Sequence, residues 1–227
     1  MSEWVTQISD QPSGYTLDEP GRNNNAYCFY SYMSNRGWTL EAIAGALGNI
    51  REESVINPGA CEYNRGIPRS GSEYFGGGLG LIQWTDYPPY IQAFVNPLLW
   101  YAARQGANWY SGNLQCELIE LCDDYETTCC GTDSPRWGWQ ANPYAYIPFS
   151  EYKEYTGSVS DAARIWFYSI ERGDSASLNR RISYAEYWYE YLSGQEPEPD
   201  PDDPTNPEEI KKRKMPIWFV TRKRYMV

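Results

Sequence analysis

Apolar residues recur at the three- to four-residue spacing of an α-helix along much of the chain, between stretches rich in glycine, proline and polar residues. The most regular stretch begins after Thr39, a residue type that caps helix N-termini. Its apolar face comprises Leu40, Ile43, Ala44, Leu47 and Ile50. This helix should continue to about Glu53 and stop before the turn sequence Asn57–Gly59, because a residue that precedes proline disfavours helical geometry.

Capping residues and apolar spacing predict further helices on both sides of this one. The first should run from about Asn24 to Gly37, and the last from a capping box at Ser183–Glu186 to Gly194. Three others should start at Asn96-Pro97, Asn113 and Ser160. Residues 76–84 have the sequence GGGLGLIQW, and consecutive glycines disfavour regular structure while allowing the backbone to approach a ligand closely. The pattern predicts a mainly helical domain with one glycine-rich connection.

The hydrophobic pattern divides the chain into four segments. Residues 1–23 are polar, contain two prolines and lack helical spacing, so we expect an N-terminal arm. Residues 24–194 form the predicted domain. Residues 195–207 form an acidic, proline-rich linker, and 208–227 form a basic tail with the apolar run Ile217–Val220. That run is far too short to span a bilayer, so stable membrane insertion is not expected.

Composition narrows the possible chemistry. The chain contains no histidine, which excludes Ser-His-Asp hydrolases, Cys-His peptidases and histidine-ligated zinc hydrolases. General acid–base chemistry must then use carboxylates, lysine, tyrosine or cysteine. The formal net charge is −11, although residues 208–227 hold seven basic and two acidic residues, so the rest of the chain is strongly acidic. Such a body argues against nucleic-acid binding.

Six cysteines leave the redox state open. No secretory signal is apparent at the N-terminus, so most of the thiols are expected to stay reduced. A zinc site built from Cys116, Cys122, Cys129 and Cys130 is an alternative, but its spacing does not match the usual zinc-binding patterns. We therefore expect neither a metal nor an organic cofactor.

Two adjacent glutamates, Glu52 and Glu53, end the most regular predicted helix. The negative end of the helix dipole and partial burial both disfavour an ionised carboxylate there. A glycosidase acid needs this protonated state to donate to the leaving oxygen. Glu53 continues the inward face of Leu47 and Ile50, whereas Glu52 lies about 100° away around the helix. Glu53 is the better candidate, the alternative being an exposed acidic pair.

Three motifs, in this order, resemble a known family. The first motif combines Gly48–Ile50, Glu53-Ser54 and Ile56–Pro58. The second is the glycine-rich stretch Gly78–Thr85, which contains Gln83. The third combines Trp166–Tyr168 and Glu171–Gly173. The set resembles the lysozyme domains of bacteriophage tail proteins, which are related to goose-type lysozymes and soluble lytic transglycosylases. The resemblance covers roughly residues 24–194. It implies a mainly α fold of the α+β lysozyme-like type. A glycine-rich loop or small hairpin would line a cleft, and extended arms would flank the domain at its N- and C-terminal ends.

The resemblance also assigns roles. Glu53 would be the general acid, and Ser54 would hold the local geometry. Gln83 would bind the sugar or position a water molecule, with Thr85 beside it. Trp84 or Tyr168 would line the sugar subsites, and Glu171 would contact substrate. Arg172 would orient the cleft by pairing with an acidic residue, or would form a plain structural ion pair.

The second carboxylate is open at this point. Asp86 is the first choice because it follows Gln83 closely, and Glu73 and Glu62 come next. A partner about 5–5.5 Å from Glu53 would suit a retaining mechanism, and one about 6.5–9.5 Å away an inverting mechanism. Some related enzymes use one essential glutamate, and the lytic transglycosylases among them use the sugar's own hydroxyl instead of water.

The prediction is therefore an enzyme that cuts the β-1,4 glycan strands of peptidoglycan, either a muramidase or a lytic transglycosylase. We expect it on the phage virion, with residues 208–227 joining it to tail or baseplate proteins, and acting at the host cell wall. The alternative is a non-catalytic tail-tip protein that has the same fold and binds the wall without cutting it.

Overall fold

The computed structural model describes residues 3–11, 14, 16–69, 72, 74–85, 95–122, 138–140, 147–173 and 175–194. Seven α-helices contain about half of these residues. The helices are α1 (Glu19–Ser34), α2 (Leu40–Ser54), α3 (Pro97–Gln105), α4 (Gly112–Glu120), α5 (Phe149–Lys153), α6 (Val159–Trp166) and α7 (Leu178–Ser193). A π-helical turn, Phe167–Glu171, continues α6, and a 3₁₀ turn, Ser175–Ser177, precedes α7. Within the described ranges, β structure is limited to isolated bridges. The fold is mainly α, as predicted.

Helix α2 forms the centre of the domain. Thr39 caps it as expected, because its side chain accepts a hydrogen bond from the backbone N–H of Ala42. Nearly every residue from Ala42 to Arg51 is buried, so the helix contacts neighbours on all sides rather than along one stripe. It packs most extensively against α7 and α6, and also against α1. Its C-terminal end carries Glu52 and Glu53, so the core itself positions the candidate acid.

Two glycines allow these helices to approach closely. A Cβ atom at Gly48 would come within 2.4 Å of the carbonyl oxygen of Arg181 in α7, and one at Gly45 within 2.7 Å of the backbone of Ala162 in α6. Real Cβ atoms do not tolerate such contacts with backbone, so both positions require glycine. The small residues of α2 therefore set the distance between the candidate acid and α7.

Much of the aromatic content lies in the core rather than on a binding surface. Trp38, Trp139, Phe149, Tyr152 and Trp166 form a cluster with ring centroids 4.8–6.3 Å apart. The hydroxyl of Tyr152 donates to the carbonyl oxygen of Ala42 at 2.9 Å, which satisfies its polar end. This cluster anchors α5 and α6 to the start of α2.

The first helix begins earlier than the sequence pattern indicated. Residues 1–23 were predicted to be a non-helical arm, but α1 starts at Glu19, because Asp18 caps it by accepting from Gly21 N at 2.9 Å and Pro20 fits the first turn. Residues 3–11 do run along the surface of the domain. Val5 exchanges two 2.8 Å hydrogen bonds with the side-chain amide of Asn25. The arm is thus attached to α1.

Three predicted caps are also corrected. Ser111, not Asn113, caps α4, and the side chain of Asn113 accepts from Trp4 Nε1 instead. Ser158, not Ser160, caps α6. The proposed capping box at Ser183–Glu186 lies inside α7, which starts five residues earlier, because tertiary packing extends the helix past a local signal. The helix ends predicted at about Glu53 and at Gly194 agree with the structure, in which α2 ends at Ser54 and Gly194 caps α7.

The predicted linker, 195–207, and the predicted tail, 208–227, lie outside the described residues. Among the helices that are described, none is both long enough and apolar enough to cross a membrane.

The close contact at Gly48 gives a test of the packing. Gly48→Ala should destabilise the protein by about 1–3 kcal/mol, because the added methyl group must push α7 away from α2. The measurement is chemical denaturation followed by circular dichroism. Glu186→Ala, an exposed position on α7, is the matched control and should change stability by less than about 0.5 kcal/mol. Equal effects of the two substitutions would contradict the packing argument.

Candidate active site

Glu53 lies in the last turn of α2 with a side chain that is 23% exposed. Its Oε1 atom accepts a hydrogen bond from Nη2 of Arg181 in α7. The carboxyl group is therefore partly shielded from water but still reachable. The sequence alone indicated only the negative end of the α2 dipole and burial, both of which disfavour a charged Glu53. The positive charge of Arg181 acts in the opposite direction.

Arg181 is buried, with a side chain that is 5% exposed, and it is held from several directions. Its Nε atom donates to Ser177 Oγ at 3.0 Å, and Nη1 lies 3.4 Å from both oxygens of Asn49. Its guanidinium carbon is 5.3 Å from the ring centroid of Phe167. A buried cation is costly without a partner, so the pairing with Glu53 fixes both side chains.

Glu52 forms a separate ion pair with Arg180. The helical spacing suggested that Glu53 points inward more than Glu52 does. The side chain of Glu52 is nevertheless the less exposed of the two, at 15%, so exposure does not single out Glu53. Their partners do distinguish them. Arg180 is 38% exposed, whereas Arg181 is buried beside Asn49 and Phe167. Of these two glutamates, Glu53 is the one that pairs with the buried arginine.

The glycine-rich segment forms a tight turn close to this helix end. Leu79 and Trp84 exchange two backbone hydrogen bonds of 3.1 and 2.9 Å, closing a turn over residues 80–83. Gly80 and Gln83 both have positive φ, at 71° and 52°. The structure thus contains the expected small hairpin-like turn, built on a glycine where the left-handed conformation requires one.

Buried polar side chains join this turn to α2. Ser54 Oγ donates to the carbonyl oxygen of Leu81 at 2.8 Å, next to Glu53 in sequence. Gln115 of α4 accepts from Leu81 N and donates to the carbonyl oxygens of Pro58 and Trp109, each at 2.8 Å. Since Ser54 and Gln115 are both fully buried, these bonds are shielded from competing water. They hold the turn beside the candidate acid.

The chain directly after Glu53 is conformationally strained. Val55 and Ile56 both have φ of 57°, in the left-handed region that β-branched residues rarely adopt. Asn25 Nδ2 donates to the carbonyl oxygen of Ile56 at 2.8 Å, and Asn57 bonds both Gln7 and Gly59. These contacts hold the unfavourable backbone in place. Such strain tends to occur at functional sites.

The predicted sugar-binding residues of the glycine-rich segment have different environments. Gln83 is half-buried, and its Nε2 donates to Gly80 O at 2.9 Å and Ala60 O at 3.4 Å, so its amide supports the turn. Trp84 is 3% exposed and lies in the core, so the suggestion that it stacks on a sugar is corrected: its ring is already covered. Thr85 is exposed at the end of the turn.

Tyr168 lies in the π-helical turn and is half-buried. It lines a depression of about 410 Å³ together with Tyr155, Asp161, Arg164 and Ile165. Asp161 and Arg164 form an exposed ion pair at its edge. Two tyrosines beside paired charged groups are suited to contact a sugar, whose ring has apolar faces and polar edges.

The candidates for a second carboxylate are separated by their positions. Asp86 and Glu73, the first two choices, lie outside the described residues. Glu62 accepts from Gly78 N at 2.8 Å and lies 3.7 Å from Arg65, so it closes the base of the glycine-rich turn. Glu171 is half-buried near Arg181, and Trp166 Nε1 donates to its Oε1 at 3.0 Å.

Glu171 has an unusual electrostatic environment. Burial and the nearby charge of Glu53 raise its pKa to about 8, although Arg181, the hydrogen bond from Trp166 and Arg172 act in the opposite direction. Arg172 itself is exposed and has a φ of 51°. A carboxyl group that keeps its proton at neutral pH is typical of acid–base sites, although structural clusters also produce such shifts.

The described residues do not form the zinc site that was considered as an alternative, since they include only two of its four cysteines. Cys116 and Cys122 are buried thiols, and burial raises the pKa of Cys116 well above its usual value, which disfavours the thiolate that a metal needs. Cys129 and Cys130 lie outside the described residues.

A family model described as phage tail lysozyme matches residues 24–192. The chain belongs to the phage tail lysozyme family. It is also similar to "Morphogenesis protein 1" of Bacillus phage B103, with 28% identity over 170 residues. The match covers 75% of this chain and 40% of that relative, so the chain spans less than half of the relative's length.

Two important residues of the candidate site were not identified from the sequence. Arg181 follows Arg180 just before the helix start that the sequence predicted at Ser183, and a pair of arginines usually indicates a solvated face. Gln115 stands alone between apolar residues of α4. The useful signal was indirect, since a carboxylate in a partly buried position needs a cation or a donor. Nothing local indicates which residue supplies it.

Gln115 offers a test of how the glycine-rich turn is held. Gln115→Ala should lower stability by about 2–3 kcal/mol, because it leaves buried donors and acceptors at Leu81, Pro58 and Trp109 without their partner. Denaturant titration measures this loss, with exposed Glu117→Ala on the same helix as control. A loss no greater than that of the control would show that the turn does not depend on this side chain.

Proposed function

We propose that this protein is a glycosidase that cuts the β-1,4 linkage of the peptidoglycan glycan strand, with Glu53 as its general acid. One observation carries the proposal: a half-buried carboxyl ends the central helix beside the glycine-rich turn and is held by a buried arginine. Membership of the phage tail lysozyme family supports the same activity.

The proposed chemistry needs only side chains. Glu53 would protonate the glycosidic oxygen as the bond to the anomeric carbon breaks, and the transition state would resemble an oxocarbenium ion. Arg181 fixes the orientation of the acid, and the Ser54–Leu81 bond keeps the turn at its side. Preorganised positioning of this kind lowers the barrier because little rearrangement is needed during the reaction.

Two routes remain for the second half of the reaction. Water activated by a second carboxylate would give a reducing end, as in a muramidase. Attack by the sugar's own hydroxyl would give an anhydro end, as in a lytic transglycosylase. Asp86 and Glu73 remain proposals for the carboxylate of the first route, and the second needs none. Gln83, Thr85 and the depression beside Tyr168 are proposed as sugar contacts.

The central test is Glu53→Gln. It keeps the shape of the side chain and an acceptor for Arg181 but removes the transferable proton, so clearing of purified cell walls should fall by at least about 100-fold. Glu52→Gln is the matched control, because Glu52 belongs to the separate pair with Arg180. Turbidity of wall suspensions measures the rate, and thermal melting checks that both variants fold.

The outcomes separate the alternatives. Full clearing by Glu53→Gln would refute the assignment of the acid. A wild-type protein that binds walls without clearing them would instead support the non-catalytic wall-binding role. If clearing occurs, mass analysis of the released muropeptides distinguishes the routes, since a reducing end indicates hydrolysis and an anhydro end indicates transglycosylation.

We further propose that the protein is carried on the phage tail, where it opens the wall for genome entry. The acidic linker 195–207 would act as a spacer, and the tail 208–227 would attach to tail or baseplate proteins. The apolar run Ile217–Val220 between basic clusters could add a strand to the edge of a partner's sheet.

Deletion of residues 208–227 tests this attachment. The truncated protein should be missing from purified virions, because its attachment segment is gone, while the isolated domain should clear walls at the wild-type rate. Immunoblotting of gradient-purified particles measures incorporation. Normal incorporation of the truncated protein would rule out attachment through this segment.

A further inference from the structure

The N-terminal arm, residues 3–11, is bonded to the backbone that follows Glu53. Val5 N donates to Asn25 Oδ1, and Asn25 Nδ2 donates to the carbonyl oxygen of Val5, both at 2.8 Å. The same nitrogen donates to the carbonyl oxygen of Ile56 at 2.8 Å. One side chain of α1 therefore joins the arm to a strained residue that lies three positions after the proposed acid.

Asn57 forms a second connection of this kind. Its Oδ1 accepts from Gln7 N at 3.1 Å, and its Nδ2 donates to the carbonyl oxygen of Gln7 at 2.7 Å. The same Oδ1 accepts from Gly59 N at 2.9 Å. Asn25 and Asn57 are both fully buried, so an arm that left would deprive buried donors and acceptors of their partners. The two amides therefore depend on the arm.

The arm is also connected to the glycine-rich turn. Isolated bridges pair Ser9 with Ala60, and Cys61 with Leu79, where that turn begins. Cys61 N donates to the carbonyl oxygen of Ser9 at 3.0 Å, and Gly80 N donates to that of Ala60 at 2.8 Å. Residues 60–61 thus lie between the arm and the turn that Ser54 bonds at Leu81. Both segments that adjoin Glu53 are held, directly or through one intermediate, by the arm.

Hydrogen bonds hold the arm more than hydrophobic contacts do. None of residues 3–11 is buried, and Val5, Gln7 and Ile8 are among those that are exposed. Trp4 is the main apolar contact, since a Cβ atom at Gly112 would come within 2.1 Å of its indole. Segments with little buried apolar area open locally at a lower free-energy cost than core helices. The arm can therefore detach while the helices stay packed.

We propose that residues 3–11 are a positioning segment of the active site, and that the attached arm fixes the backbone from which Glu53 reaches the substrate. Val55 and Ile56 are unfavourable in the left-handed region, and the two amides enforce that geometry while the arm completes their bonding. When the arm detaches, the turn relaxes and Glu53 loses its alignment. This inference rests on the proposed function. The arm precedes residues 24–192, which match the family, so family membership does not imply this role.

Proline substitutions can separate the attachment points from the rest of the arm. Val5→Pro and Gln7→Pro each remove a backbone N–H whose hydrogen bond goes to a buried amide. Ile8→Pro is the matched control, because the N–H of Ile8 bonds no residue in the described part of the chain. All three residues lie outside helices and strands, where proline is tolerated.

The double variant Val5→Pro/Gln7→Pro should lower kcat on soluble glycan fragments of the wall by at least about ten-fold, because the acid is misaligned. KM should change by less than about three-fold, because the proposed sugar contact at Tyr168 lies on the turn that continues α6. Ile8→Pro should keep both wild-type values. An unchanged kcat in the double variant, or an equal loss in Ile8→Pro, would overturn the inference.

Hydrogen exchange tests the attachment without an activity assay. In the double variant the amides of Asn57 and Gly59 should exchange at least about ten-fold faster than in the wild type, while amides in the middle of α6 and α7 keep their rates. Unchanged exchange at the turn, or equally faster exchange in every helix, would contradict the inference. If the wild-type protein cuts no glycan, the proposed function fails, and exchange alone decides whether the arm holds the turn.

Discussion

The site depends on one buried ion pair, between Arg181 of α7 and Glu53 of α2. A buried guanidinium is expensive unless it is paired, so α7 can carry an arginine here only because α2 ends in a carboxylate. The same region has a close helix contact, since Gly48 lies against the backbone of Arg181. Packing therefore determines the distance at which the charges meet, and the charges stabilise that arrangement of the helices.

Side-chain amides hold the irregular segments around this pair. Asn25 and Asn57 bind the N-terminal arm and the turn after α2, and Gln115 binds the glycine-rich turn. An amide offers both donors and an acceptor, so it can replace the backbone partners that a neighbouring strand would provide. This matters because the β structure in the described ranges consists of isolated bridges. Three side chains thus stabilise loops that regular structure would otherwise have to support.

Unfavourable backbone geometry is concentrated beside the two carboxyls. Val55 and Ile56 follow Glu53 in the left-handed region, and Glu171 ends a π-helical turn that Arg172 leaves with positive φ. Such conformations persist only where surrounding contacts enforce them. Here the enforcing contacts are the amide bonds to the turn after α2 and the packing of Phe167 against Arg181. The strained backbone segments thus adjoin Glu53 and Glu171 in the chain.

The sequence by itself determined the helical class, the limits of α2 and the glycine-rich turn, because these features follow from apolar spacing, capping residues and motifs within short stretches. Its choice of Glu53 as the acid stays a prediction. It placed several helix starts wrongly, as at Glu19 and Leu178, where packing overrides local signals. Only the tertiary structure decided that Trp84 belongs to the core and that Arg181 pairs with Glu53. Those outcomes depend on which side chains meet across more than a hundred residues, and no local pattern records such a meeting.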